Sequence, residues 1–220
     1  MHLEKLDLGE IANRLDEPFS MVDVAFVGDL TMSLYLCEGT VGWHRHLDHD
    51  ELFWVHRGSI TLDSERGRVR LRTGEMAVVQ KGISHRSGSD KAATVMLIRC
   101  TVLPHRKNGR MRLYGTWERG PKRVSLSSAM ERLTTPFESH TVARVEDAVV
   151  QIVRGEGTWP TLEPAHSDIM FMVLGGKVTI HTDLSILTLK SDELTIVPKG
   201  AVYHIVSDGG AVLAMMSREE

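Results

Sequence analysis

The chain has 220 residues, 42% of them hydrophobic and 25% charged, with a formal net charge of −3 and a pI near 6.4. That is apolar material enough for one large or two small cores, and the slight acidity gives no general attraction to nucleic acid or to anionic membrane. No apolar run approaches the roughly 18 residues of a membrane span, and the opening MHLEKLDLGE lacks a signal-peptide core, so a soluble, cytoplasmic protein is expected.

The first predicted element is a short amphipathic helical stretch carrying Leu8, Ile11 and Leu15, ended by Pro18-Phe19. Strands follow at LTMSLYLCEG (30–39), ELFWVHRGSITLD (51–63), RVRLRTG (68–74), EMAVVQKG (75–82) and ATVMLIRC (93–100), each bounded by glycine, aspartate or serine. Residues 105–123 are basic and glycine-rich, and read as a solvated connector. The series then begins again with Leu126, Met130 and Leu133 before Pro136-Phe137, and continues through VVQIVRGEG (149–157), IMFMVLGGKVTIHTD (169–183), ELTIVPKG (193–200) and AVLAMMS (211–217). No long helical pattern is available to cross over a parallel sheet, so the class is all-β, with antiparallel strands closed into barrels or sandwiches. Cys37 and Cys100 fall on strands and are expected as reduced, buried thiols.

The two series align without a gap at an offset of 118 residues: Glu38-Gly39-Thr40 recurs as Glu156-Gly157-Thr158, and Asp50, Phe53, Val55 and Gly58 recur as Asp168, Phe171, Val173 and Gly176. A repeat of about a hundred residues is far longer than a solenoid unit, so each copy is expected to be a domain. The boundaries expected are 1–104 for the first domain, 105–125 for a linker and 126–220 for the second.

The copies differ in chemistry. In WHRHLDHDELFWVHRG, His44 and His46 are two residues apart, so an extended strand would present both imidazoles on one face. Glu51 breaks that alternation and needs a loop or bulge over residues 47–50 to return to the same place. His85 follows the Lys81-Gly82 turn on a strand that must lie beside the first. Three imidazoles and a carboxylate suit one divalent transition metal, whether Fe, Mn, Ni, Co, Cu or Zn, with positions left for water or substrate. At the same positions the second copy has Leu162, Pro164, Ile169 and Tyr203, so it is expected to bind no metal; His166, Asp168, His181 and His204 are expected to be solvated or structural. Imidazoles bind metal only when neutral, so affinity is expected to fall below about pH 6.

Less specific candidates surround this group. Tyr35 and Phe53 either line a substrate pocket or pack the core. Arg99, a charge within TVMLIRC, either grips an anionic substrate or faces solvent. His49 reads as an exposed loop residue. Alternation places Glu51, Phe53 and Val55 inward, and Asp50, Leu52 and Trp54 outward.

The motif that carries these residues resembles the cupin superfamily. Its first motif is matched by His44, His46, Glu51 and Gly58, and its second by Gly74, Lys81-Gly82 and His85, with Gln80 where proline is usual. The second copy has the turn as Pro198-Lys199-Gly200 but has Asp192 for the motif glycine and none of the ligands. The resemblance implies two tandem cupin barrels, double-stranded β-helices of jelly-roll type, forming a bicupin with one intact and one degenerate site. It also implies a metal-dependent enzyme acting on a small organic molecule, of dioxygenase or other oxidoreductase type or of sugar isomerase or epimerase type. The reading from a different class is a non-catalytic metal-containing module that binds or senses a small molecule. A monomer or homodimer is expected, with no nucleic-acid or membrane partner.

Overall fold

The computed structural model describes residues 2–100, 120–159 and 164–219. Most of the expected linker and Leu162 therefore lie outside the described residues. In chain order the elements are β1 (Leu6–Asp7), α1 (Leu8–Ala12), β2 (Met21–Val27), β3 (Leu30–Thr40), β4 (Glu51–Arg57), β5 (Ser59–Ser64), β6 (Gly67–Arg72), β7 (Glu75–Val79), β8 (His85–Cys100), β9 (Val124–Ser125), α2 (Leu126–Met130), β10 (Ser139–Val145), β11 (Ala148–Thr158), β12 (Ile169–Thr182), β13 (Ile186–Lys190), β14 (Glu193–Val197) and β15 (Tyr203–Arg218). The fold is nearly all β, and every named strand pair is antiparallel. No described helix is long and apolar enough to cross a membrane.

The chain divides into two compact units, one of Ala12–Leu126 and the other of Met1–Ile11 with Ser127–Glu220. In the first, strands run β2-β3-β8-β4-β7-β9, with β5 joining β8 to β6. In the second they run β1-β14-β12-β15-β11-β10, with β13 on β12. The two-residue strands are reciprocal. Asp7 pairs with Glu193 and Leu6 with Leu194, while Ser125 pairs with Glu75 and Val124 with Met76. Each copy's leading strand thus completes the sheet of the other copy, so the units do not coincide with the halves of the sequence repeat.

Long β8 organises the first unit. Its beginning pairs with β5 (His85 with Ser64) and its end with β4 (Arg99 with Glu51), so the consecutive strands β4 and β5 bend along it. That bend occurs at Gly58, whose φ is +85° and where an added Cβ would lie 3.0 Å from the Cβ of Ala93. Gly176 at the equivalent bend has φ +81°, and a Cβ there would meet the carbonyl oxygen of Gly210 at 2.4 Å. Left-handed backbone and close approach together demand glycine at both places. The shared motif glycine is therefore a folding requirement, independent of metal.

Inside the first unit, Tyr35, Cys37, Phe53, Val55, Leu62, Leu71, Val79, Val95 and Leu97 form one buried cluster. Phe53 and Val55 point into it as alternation demands. Leu52 and Trp54 occupy the opposite face but are 0% and 3% exposed, so outward of the barrel interior does not mean toward water. The physical reason is legible in the sequence: LFWV (52–55) is a continuous apolar run, as in a strand buried on both faces. The second unit has its own cluster, including Phe171, Val173, Val178, Ile180, Leu189, Val197, Ile205 and Leu213. Both cysteines are free and buried, as expected.

Candidate metal centre

Glu51 opens β4, His85 opens β8, and His44 joins His85 through an isolated antiparallel bridge closed by reciprocal backbone hydrogen bonds of 3.0 and 2.8 Å. Residues 41–50 lie outside the strands apart from the isolated bridge at His44, so His44 and His46 stand on a loop and not on the extended strand expected of them, and the same loop lets Glu51 turn inward. Two ties fix that loop to the Lys-Gly turn. The Gly82 amide donates to the His46 carbonyl at 2.6 Å, and the Lys81 amide donates to Asp50 Oδ1 at 2.8 Å. Asp168 makes the same bond with the Lys199 amide at 2.8 Å, which explains why this aspartate recurs in the copy without ligands.

The result brings one ligand atom from each of His44, His46, Glu51 and His85 within 4.8 Å of all the others. Among the described residues no other group of three or more histidine, cysteine or acidic side chains converges in this way. Glu51 and His85 are buried, whereas His44 and His46 are half-buried. One side of the cluster is enclosed by protein and the other reaches solvent.

Hydrogen bonds orient the rings. His85 Nδ1 lies 2.9 Å from the Ile83 carbonyl and His44 Nδ1 lies 2.9 Å from the Gly42 carbonyl. A carbonyl only accepts, so each Nδ1 carries a proton and each Nε2 is directed to the common centre. His85 Nε2 is 2.8 Å from Glu51 Oε2, and His46 Nε2 is 3.4 Å from Glu51 Oε1. Both carboxylate oxygens are thereby engaged.

These contacts divide the titrations. Burial pushes the Glu51 pKa up, but the hydrogen bond from His85 and the neighbouring imidazoles outweigh it and hold the carboxyl below its usual range. Burial pushes His85 down, but its bonds to Glu51 and to the Ile83 carbonyl leave it raised overall. His46 is lowered, first by burial and then by the nearby histidines, against the opposing pull of Glu51. The 2.8 Å contact between His85 Nε2 and Glu51 Oε2 thus favours the protonated form of His85 and the ionised form of Glu51.

His49 departs from expectation. It is 5% exposed, its ring stacks on that of His46 with centroids 4.4 Å apart, and its Nδ1 lies 2.8 Å from Asp48 Oδ1. Its Nε2 is buried without a hydrogen-bond partner among the described residues. Nothing in the spacing signals this, because the packing of an irregular loop depends on contacts that no periodicity encodes.

The three candidate lining residues separate. Phe53 is buried and meets His85 edge-on with centroids 5.9 Å apart. Tyr35 is buried, with its hydroxyl 3.3 Å from Ser87 Oγ, and burial raises its pKa far enough to keep the phenol protonated. Cys37, on the same strand face, has its thiol pushed up to about 11, also by burial. Arg99 sits in register opposite Glu51, is half-buried, and reaches Met21 Sδ at 3.7 Å.

Comparison with known proteins gives concordant matches. The family model described as "Cupin domain" matches residues 35–99, a span that contains the whole cluster. An uncharacterised protein, YdbB of Bacillus subtilis, is 31% identical over 80 residues, covering 36% of this chain and 71% of that protein. Among solved structures, a cupin 2 conserved barrel domain protein from Leptotrichia buccalis is similar over 98% of this chain and 96% of its own, with a TM-score of 0.75 at 9% identity. Salicylate 1,2-dioxygenase from Pseudoaminobacter salicylatoxidans, described as an adduct with gentisate, also gives a TM-score of 0.75 at 10% identity, over 98% of this chain and 81% of that one. At such identities the structural matches concern the fold.

Proposed function

Because the chain belongs to the cupin superfamily, we propose that it is a bicupin whose first copy holds one divalent transition metal through His44, His46, Glu51 and His85 and acts enzymatically on a small organic molecule. The second copy, with Pro164, Ile169 and Tyr203 at ligand positions, is the degenerate partner, and the boundary falls within residues 105–125. One observation carries the assignment: two ligands of the converging set are buried and two reach solvent, which leaves an approach to the centre on one side. A saturated structural site has no use for such an opening.

The donor set fits the ion. Three imidazole nitrogens and one carboxylate oxygen suit late first-row metals, and the Nδ1 bonds of His44 and His85 supply the supporting contacts that orient metal-binding imidazoles. A bound ion supplies a Lewis acid for a substrate oxygen and, as iron, a centre for dioxygen chemistry. The remaining roles belong to this chain's residues. His85 would hold the ion through Nε2 and Glu51 through a carboxylate oxygen, in place of the hydrogen bond between them. Phe53 provides an apolar wall against His85. Tyr35, kept as a neutral phenol, donates or accepts a hydrogen bond but does not serve as a base near neutral pH. Arg99, in register with Glu51, would meet an anionic group of the substrate.

We propose the oxidoreductase class as the first to test, ahead of the isomerase class, because the open site would suit dioxygen chemistry with iron and one protein of similar fold is a dioxygenase described with gentisate. Iron-loaded protein is expected to consume dioxygen together with a hydroxylated aromatic acid, gentisate being the first to try, and Glu51→Gln is expected to abolish this uptake. Equal turnover without dioxygen rejects the oxygenase class in favour of isomerase-type chemistry. Saturable binding of the acids with no turnover rejects the enzyme in favour of a binding module.

A further inference from the structure

On the outer face of the second unit, His181 of β12 and His204 of β15 are direct cross-strand partners. Their rings are stacked with centroids 4.5 Å apart and planes within 7°. Ile180 and Ile205, the adjacent partners in the same register, belong to the barrel core. Alternation therefore turns the two imidazoles outward, where both are half-buried. Beyond the ring stack, no described residue makes a hydrogen bond or ion pair with either ring.

The first copy shows what this position does when it is only structural. The equivalents of His181 and His204 are Asp63 and Arg86, also direct partners, bridged at 3.1 Å, and Asp63 is shared with Arg68. In the second copy Arg68 becomes Ile186, which pairs with His181 and is 69% exposed. A three-charge bridge has thus been replaced by two imidazoles beside an aliphatic side chain. The same-face neighbours in register with the histidines are Ile186 and the Thr179–Val206 pair, none of them a cation that would repel a metal ion.

We propose that His181 and His204 form a surface site for a late first-row divalent metal ion, with Cu(II) the tightest-bound. Directly opposed residues of an antiparallel pair have Cβ atoms about 4.5–5.5 Å apart, so two imidazoles there reach one ion at bond lengths of about 2.0–2.1 Å after turning about their side-chain torsions. Affinity for nitrogen donors rises to copper along the first-row series. Half-exposure leaves the other coordination positions to water. The site is separate from the four-residue cluster and independent of whether that cluster is loaded.

The test is equilibrium dialysis of the full chain against Cu(II) at micromolar free concentration. H181D/H204R installs the first copy's own residues at these positions and keeps a cross-strand bridge. It is expected to bind one ion fewer than the wild type, and H46A/H181D/H204R one fewer than H46A. The ion lost should show nitrogen coupling in its electron paramagnetic resonance spectrum. H204Q, a single change on the half-exposed face, should lose the same ion. Equal copper within each of the first two pairs overturns the site, even where the His46 substitution itself changes the total.

Discussion

Glu51→Gln is expected to lower the affinity of the first copy for its metal by more than about 100-fold, since loss of supporting contacts alone typically costs 10- to 100-fold and Glu51 is a ligand in the proposed set. Two consequences combine. The oxygen donor is replaced by an amide, and His85 loses the carboxylate that holds its ring at 2.8 Å. The carboxylate also bridges two strands of one sheet, through β4 where it lies and β8 where His85 lies. His46→Ala should fall similarly, as it removes the nitrogen 3.4 Å from the other carboxylate oxygen. Tyr203→Phe occupies the position of His85 in the second copy and keeps the ring that packs 5.5 Å from Phe171, so it should leave metal content nearly unchanged. Metal per chain, measured on the three purified variants beside the wild type, separates these outcomes, and equal losses in all three would reject a single site in the first copy.

The second large effect is on pH. Metal must displace the extra proton of His85, whose pKa is raised above 6.5, so affinity should begin to fall as pH drops through a value higher than that of an ordinary histidine. This moves the onset above the value near 6 expected from unperturbed imidazoles. His46, lowered below 6.5, joins only at more acid pH and steepens the loss. Each proton displaced gives about a tenfold loss per pH unit once its group is protonated. Without metal the sign reverses for His85. A raised basic pKa contributes stability that is full below the unfolded value of 6.5 and is lost as pH rises through the folded value. Glu51, depressed below 4.5, contributes stability present above that value and lost as pH falls through its folded pKa. The pair therefore supports the metal-free protein most between about pH 4.5 and 6.5, while the metal-loaded protein gains toward higher pH. Melting curves of both forms from pH 4 to 8 read the crossing directly; parallel pH profiles would contradict the geometry of His85.

The convergence of His44, His46, Glu51 and His85 was legible because the spacing of the residues is short between turns. His44 and His46 are two residues apart, Glu51 follows an obligatory loop, and His85 sits just past a Lys-Gly turn, although residues 41–50 form no strand beyond the His44–His85 bridge. The all-β class followed from short apolar runs between turn residues with no crossover helix. What depended on non-local register stayed hidden. Leu6-Asp7 carries no mark of its pairing with Leu194 and Glu193, so the exchange of leading strands between copies was not foreseen. Leu52 and Trp54 were assigned an outward face by alternation, although the unbroken apolar run containing them already fits burial on both faces. His49 stacks on His46 only because the loop folds back, and the stacking of His181 on His204 follows from the register between β12 and β15. Asp168 is the contrasting case. It was expected to be solvated or structural, and its bond to the Lys199 amide gives it a structural role.

Anomalous diffraction from crystals of the wild-type protein, purified without chelators and measured on both sides of the metal absorption edge, tests the central assignment most directly. The account predicts one strong peak in the first copy, about 2.0–2.2 Å from nitrogens of His44, His46 and His85 and from an oxygen of Glu51, with the His85–Glu51 hydrogen bond broken. A metal-replete crystal with no peak there and that bond intact at 2.8 Å would contradict it.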